Sequence, residues 1–452
     1  MCDSAAHATD FTHEAASLSI ARHGFGATTV GDLALFAGGA FRETPSSPLE
    51  LTDVVDIYDT AANAWTTDAL SQRRRYVSAA SVGSLALFGG GFAYDPDTDT
   101  AFYTTAVDLY DSVSHTWTTA ALSQPRANPA AVTAGNFVLF GGGFRYDEGY
   151  VYSNVVDVFN ASNGTWTATT LPTAEGTGIM ALAAGGVAIF AKDNTVDVYD
   201  PATASWTTTA VPGDRLGIGE AAGNKAVFIG EDGAAVFDAT TRQWTFTDEP
   251  AAHTGNPLEA RMLQSSAVVG EMIVFGGISR CVTYNTATDE WGNPNLYNSS
   301  PAYAEAATSL DGKVLFDSQW IWEPQDPPPS TQLDLVRAAW GSCGPEGDLN
   351  GDGYVGSADL DIVRANWVAW PWGRVPGLTV FDPETGEWSF GPGSSLRDGK
   401  TIALSAGDTA LFVCEDGTVD LYFAGGSAVP EPGAVLGLVS LLLAALCGRR
   451  PW

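Results

Sequence analysis

The residues best spaced to do chemistry lie in one stretch, GDLNGDGYVGSADLDIVRANW (347–367). A twelve-residue loop counted from Asp348 puts side-chain oxygens at Asp348, Asn350 and Asp352. Gly353 falls at the sixth place, where the chain must turn sharply, and Tyr354 offers its backbone carbonyl at the seventh. Val355 fills the apolar eighth place, Gly356 leaves room for a water, and Asp359 closes the loop. A hard cation needs converging oxygens at this spacing, so one bound Ca2+ is expected. Asp at the closing place reaches less far than the usual Glu. The alternative is an Asp/Asn/Gly-rich turn that holds no metal.

Other chemistries find less support. The five histidines (His7, His13, His23, His115, His253) are dispersed, and no HExxH, GxSxG or phosphate-cradling GxGxxG precedes a helix. The five cysteines (Cys2, Cys281, Cys343, Cys414, Cys447) are odd in number and form no CxxC pair, so neither a disulfide framework nor a zinc site is indicated. Arg22, Arg75, Arg126 and Arg261 recur before apolar runs, where they would either ring an anionic sugar or form salt bridges to the many aspartates.

The elements that must position these groups come from a repeat. An apolar run ending in Phe recurs as LALFAGG (33–39), LALFGGG (85–91), FVLFGGG (137–143), VAIF (187–190), AVFIG (226–230), MIVFGG (272–277), KVLF (313–316) and TALF (409–412). A second apolar run follows each and ends in an aromatic residue. Seven times a Trp stands seven residues later: Tyr58/Trp65, Tyr110/Trp117, Phe159/Trp166, Tyr199/Trp206, Phe237/Trp244, Tyr284/Trp291 and Phe381/Trp388. The runs are short, β-branched or aromatic and bounded by Gly, Asp or Asn, which predicts buried strands; the turn formers before each Trp predict a hairpin. A sheet of three or four strands cannot bury both faces alone, so copies must pack side by side with Trp between them.

The pattern of apolar strand, Gly-Gly, aromatic residue and spaced Trp resembles the kelch repeat, over roughly residues 11 to 428 apart from an insertion. That resemblance implies an all-β fold, a kelch-type β-propeller like the central domain of galactose-oxidase-like proteins. Several units (Phe190-Ala191-Lys192, for example) lack the double Gly. Seven units carry Trp and an eighth (401–423) does not. LSIAR (18–22) aligns with LSQRR (70–74) and LSQPR (122–126), so residues 11 to 17 are expected to supply the eighth unit's outer strand. Eight blades are favoured, with seven if one short unit is irregular. Galactose oxidase itself holds copper with histidines and tyrosines, one of them cross-linked to Cys, and its strand-end histidines have no counterpart here.

Alternating strand direction puts second-to-third-strand connections at the same end as the connections between blades. Three of them are long: FRETPSSPLELTD, FAYDPDTDTAFYTT and FRYDEGYVYSN. They hold the candidate ligand face: Tyr94, Asp95, Asp97, Asp99, Tyr103, Tyr146, Asp147, Tyr150 and Tyr152. Aromatic and acidic side chains suit sugar rings, cations or a protein surface; the alternative is solvated loops whose aromatics pack on one another.

The seventh unit is stretched: Phe316 and Phe412 are 96 residues apart. The excess, 323–372, begins at the proline-rich EPQDPPPS and contains the candidate metal loop. Its helix-forming LDIVRANW (360–367) has a near copy, LDLVRAAW (333–340), and this loop–helix pairing resembles a type I dockerin with its EF-hand-like calcium loops. The first loop (IWEPQDPPPSTQ) lacks the Asp-Asn-Asp ladder and the pair interrupts a blade, so one calcium carries over and cohesin docking is not favoured. The insertion is expected to be a small helical unit stabilised by Ca2+.

Composition narrows the partners. The 21 Lys and Arg against 53 Asp and Glu leave a net charge of −32, which repels phosphate backbones and excludes nucleic-acid binding as a main role. Charged residues are only 16% while aromatics are 11%, which excludes a disordered acidic chain.

At the C-terminal end, Val429-Pro430-Glu431-Pro432 precedes sixteen uncharged residues (433–448) and Arg449-Arg450. This arrangement resembles the PEP-CTERM sorting tail of bacterial surface proteins, which implies handling by an exosortase-type system with Pro430, Glu431 and Pro432 as the sorting mark. Sixteen residues rise about 24 Å as a hydrophobic helix, short of the roughly 30 Å hydrocarbon core, so membrane contact through 429–452 would be shallow or transient. The arginines favour the cytoplasmic side and place the propeller outside. Residues 1 to 26 hold no apolar run of signal-peptide length, so the true start is expected upstream of Met1.

The sequence therefore points to an exported protein of the bacterial cell surface or extracellular matrix. It would comprise a propeller scaffold (11–322 and 373–428) that binds a polysaccharide or protein, a calcium-binding insertion, and no catalysis. The first alternative is a carbohydrate-active enzyme of the galactose-oxidase-like fold. The second is a protein-docking module acting through the dockerin-like repeat.

Overall fold

A computed structural model describes residues 11–44, 46–95, 98, 100–173, 178–213, 216–247, 263–277, 280–292, 304–318, 377–393 and 401–424. Among them there are strands and turns and no helix. The expected helical insertion and C-terminal helix lie outside the described residues.

Among the described residues, eight four-stranded antiparallel sheets follow one another in sequence. The first is built from Gly26–Val30, Leu33–Ala37, Val54–Asp59 and Ala64–Ala69, paired in that order. Six more repeat this order over 78–121, 130–170, 180–210, 218–247, 263–292 and 304–393. The eighth takes three strands from 401–424 and its outer strand, Phe11–Ser17, from the other end of the sequence. That strand runs in register from Phe11 opposite Ala424 to Ser17 opposite Thr418, as the alignment of LSIAR predicts.

The constant offset of seven has a local cause. Each aromatic residue lies directly across the ladder from its Trp, with ring centroids 4.7–5.0 Å apart. The Asp or Asn after the aromatic accepts a backbone N–H two or three residues on, as Asp59 does from Ala62 (3.0 Å) and Asp238 from Thr240 (2.8 Å). The turn closes through one residue of positive φ, two before the Trp: Asn63, His115, Gly164, Ala204, Arg242, Asp289 and Gly386, between 46° and 71°. The loop has no spare residue, so the spacing cannot drift.

Packing between sheets is equally regular. The Phe, aromatic and Trp face of one sheet covers the aliphatic face of the sheet before it. Phe88, Tyr110 and Trp117 lie on Leu35, Val55 and Ile57, and Phe140, Phe159 and Trp166 lie on Leu87, Val107 and Leu109. The same holds around to the eighth sheet, whose Leu411, Val419 and Leu421 receive Phe36, Tyr58 and Trp65 of the first. First strands of successive sheets also touch, as do Thr401–Ala406 and Gly26–Val30. The arrangement is propeller-like.

Glycine after the Phe has a steric reason. A Cβ at Gly141 would come within 2.6 Å of the Phe190 ring, and one at Gly89 within 2.8 Å of Phe140. The eighth sheet lacks a Trp, and His13 takes its place opposite Tyr422, ring centroids 4.9 Å apart. His13 Nε2 also lies 2.6 Å from the buried Asp420 carboxylate, which ties the N-terminal strand into the sheet.

Candidate ligand face

The connections between sheets are built on a recurring ion pair. Arg22, Arg74 and Arg126 are buried and pair with Asp56, Asp108 and Asp157 at 2.6–2.7 Å. The same aspartates accept the backbone N–H of Ser19, Ser71 and Ser123 at 2.9–3.1 Å. Each arginine also donates to the carbonyl of the residue fourteen on, Phe36, Phe88 or Phe140, at 2.8–3.0 Å. Burial pushes each guanidinium below its ordinary pKa and the paired aspartate opposes that shift. The salt-bridge alternative thus holds for Arg22 and Arg126. In the second sheet the paired residue is Arg74, not the Arg75 singled out from the sequence. Arg261 lies outside the described residues. In the fourth sheet Thr173 donates its N–H and hydroxyl to Asp197.

The double glycines sit against these linkers. Gly90 has φ +69°, and a Cβ there would lie 2.5 Å from the Arg126 carbonyl; Gly38 stands likewise 2.6 Å from that of Arg74. Gly39 and Gly91 then donate their N–H to these same carbonyls at 2.8 and 2.9 Å. From these bends rise the three long connections. Ala40–Phe41 pairs with Glu50–Leu51, Phe92–Asp95 with Thr100–Tyr103, and Phe144–Tyr146 with Tyr150–Tyr152. Each hairpin is stitched to the linker beneath it, through His23 with Ala40, Arg75 with Phe92, and Ala127 with Phe144.

Two of these hairpins join in one aromatic cluster. Phe92 and Tyr103 are 5.2 Å apart, Tyr103 and Phe144 6.0 Å, and Phe144 and Tyr150 5.5 Å. Tyr150 stacks on Tyr152 at 8° between planes and meets Tyr146 edge-on. Tyr150, Tyr146 and Tyr152 remain 64%, 59% and 49% exposed. Tyr94 is exposed on the neighbouring hairpin. Burial raises the Tyr103 hydroxyl above its ordinary pKa.

Of the residues expected on this face, the structure brings together Tyr103, Tyr146, Tyr150 and Tyr152. Tyr94 and Asp95 occupy the adjoining strand, and Asp147 closes the hairpin turn by donating its N–H to the Gly149 carbonyl at 2.8 Å. Asp97 and Asp99 lie outside the described residues, as do Asp348, Asn350, Asp352, Tyr354 and Asp359 and the sorting residues Pro430, Glu431 and Pro432. Among the described residues no cluster of His, Cys, Asp or Glu is set to hold a metal, and no helix is long and apolar enough to cross a membrane. His115 bonds the Tyr110 hydroxyl at 2.9 Å.

No family model and no curated protein matches the chain. Among solved structures, one described as "Structure of YjhT" is 12% identical, covers 68% of this chain and 93% of its own, and has a TM-score of 0.38.

Sequence reasoning missed three contributors, Tyr76, Phe92 and Phe144, and named Arg75 without its ring partners. The signal was present in the aligned triplets Arg22-His23-Gly24, Arg74-Arg75-Tyr76 and Arg126-Ala127-Asn128. Their third residues all take positive φ, 67°, 58° and 52°. Gly and Asn suit that conformation, whereas a Tyr there is strained. Ser318 pairs with Gly377 across adjacent strands, at the end equivalent to the one from which the hairpins rise in the first three sheets.

Proposed function

We propose that this chain is a ligand-binding scaffold of the bacterial cell surface or extracellular matrix, an eight-bladed kelch-type propeller without catalytic activity. The observation that carries the reading is the exposed tyrosine cluster on hairpins anchored by buried ion pairs. Flat, exposed aromatic rings on a rigid base offer apolar faces to the C–H faces of sugars, at little entropic cost because the side chains are already fixed by their neighbours. A polysaccharide is therefore the favoured ligand. The packing of the eighth sheet on the first supports closure of the ring. Loop 348–359 binds one Ca2+ and stiffens the insertion, and residues 429–452 direct sorting by an exosortase-type system.

The test is a screen of the full chain against a polysaccharide and glycan panel, with calcium and with chelator. Calcium-independent binding that Tyr150→Ala weakens is the expected result. Binding lost with chelator would move the ligand to the insertion, and no binding in either condition would overturn the reading. Turnover of a bound sugar would favour the enzyme alternative.

A further inference from the structure

Arg75 differs from the other arginines of the linkers. Its aligned neighbours are His23 and Ala127, so of these three described linkers only the second places a guanidinium here. Among the described residues no carboxylate pairs with it and no hydrogen bond engages its guanidinium, although the chain carries 53 acidic residues. Its Nε is sealed from solvent without a partner. The guanidinium carbon instead lies 4.7 Å from the Tyr76 ring and 5.5 Å from that of Phe92. Tyr76 is held there in a left-handed backbone conformation, its N–H donating to the Gly24 carbonyl (2.7 Å) and its carbonyl accepting from Asn128 (3.0 Å).

We infer that Arg75 is the specificity-determining residue of the aromatic face and that its ligand is a sugar bearing one carboxylate, a terminal hexuronic acid. The inference rests on the proposed function and adds the ligand's charge. A guanidinium held by rings rather than by an acid keeps its in-plane N–H fork free, and a carboxylate matches that fork. The adjoining tyrosines supply the surface for the sugar ring. A net charge of −32 repels polyanions at long range, so the ligand carries its acid at a chain end and is not a polyuronate.

The experiment compares a glucuronate-terminated oligosaccharide with the same oligosaccharide after reduction of its carboxyl to the alcohol, by titration calorimetry on the full chain. The acid form should bind the unaltered protein about ten- to a hundred-fold more tightly. Arg75→Gln should erase that difference between the acid and reduced forms, and Arg75→Lys should retain part of it. Arg75→Gln removes the contacts to Tyr76 and Phe92 but no ion pair, so it should still unfold in one cooperative transition, which checks that it folds. Equal binding of both sugars, unaffected by Arg75→Gln, would overturn the inference and leave the aromatic face standing. Binding of neither sugar, with Tyr150→Ala also silent against the wider panel, would overturn both.

Discussion

Arg126 is buried and hydrogen-bonded on several sides, and removing its charge leaves the buried Asp157 carboxyl without its partner. Breaking such a pair from one side costs about 3–5 kcal/mol, whereas removing both charges costs much less. Arg126→Met should therefore lower stability by about that amount, and Arg126→Met with Asp157→Leu should recover part of it in urea unfolding. A second residue acts through pH. Glu220 lies on the first strand of the fifth sheet, where burial holds its carboxyl above the ordinary range; the Ala221 N–H and the Ser266 hydroxyl, at 3.0 Å each, pull the other way. The folded state thus holds its proton to higher pH than the unfolded chain does. Stability is full below the unfolded carboxylate range and declines as pH rises through the folded value. Glu220→Gln should melt higher than the parent at pH 7 to 8, and the gain should vanish near pH 4. A gain independent of pH would exclude this ionisation as the cause.

At the scale of the element, the double glycine separates two effects that a sequence cannot distinguish. Gly83 and Gly90 both take positive φ, yet a Cβ at Gly83 meets nothing within 4 Å while one at Gly90 meets the Arg126 carbonyl at 2.5 Å. Gly83→Ala should cost about 1–2 kcal/mol, the conformational penalty alone. Gly90→Ala should cost clearly more, because the next linker must also move. Equal costs in chemical denaturation would show that the close approach relaxes freely. The eighth sheet shows the same logic in a strand: His13 replaces Trp opposite Tyr422, and its bond to Asp420 supplies a polar tie to the strand that joins the two ends of the fold.

At the scale of the whole molecule, the proposed calcium loop (348–359) and the proposed ligand face (92–152) belong to separate segments of the chain. Calcium should raise the melting temperature of any unit whose folding it completes, by mass action. The expected outcome is one calcium bound per chain by calorimetry, lost in Asp352→Asn, with glycan affinity unaltered. Loss of glycan binding in that variant would tie the two functions together.

Much of this was legible from residues alone. The strands, their hairpins, the offset of seven and the N-terminal strand's place in the last sheet follow from short-range rules: apolar runs of strand length, an Asp or Asn that caps the turn, and one residue of positive φ. The buried arginines were visible as a repeat, but LSQRR offers two adjacent arginines and only the fold chooses between them. Arg74 points into the dry seam toward Asp108, and Arg75, one residue on, falls among rings contributed by its neighbours in sequence and by a hairpin. The sequence by itself determined which segments are strands and which glycines must bend, because those depend on neighbours a few residues away. The tertiary structure alone decided which aromatic residues from 76 to 152 meet on one face and which of Arg74 and Arg75 is left without an acid. Those contacts join residues from different hairpins and linkers, and no local rule of charge or spacing encodes them.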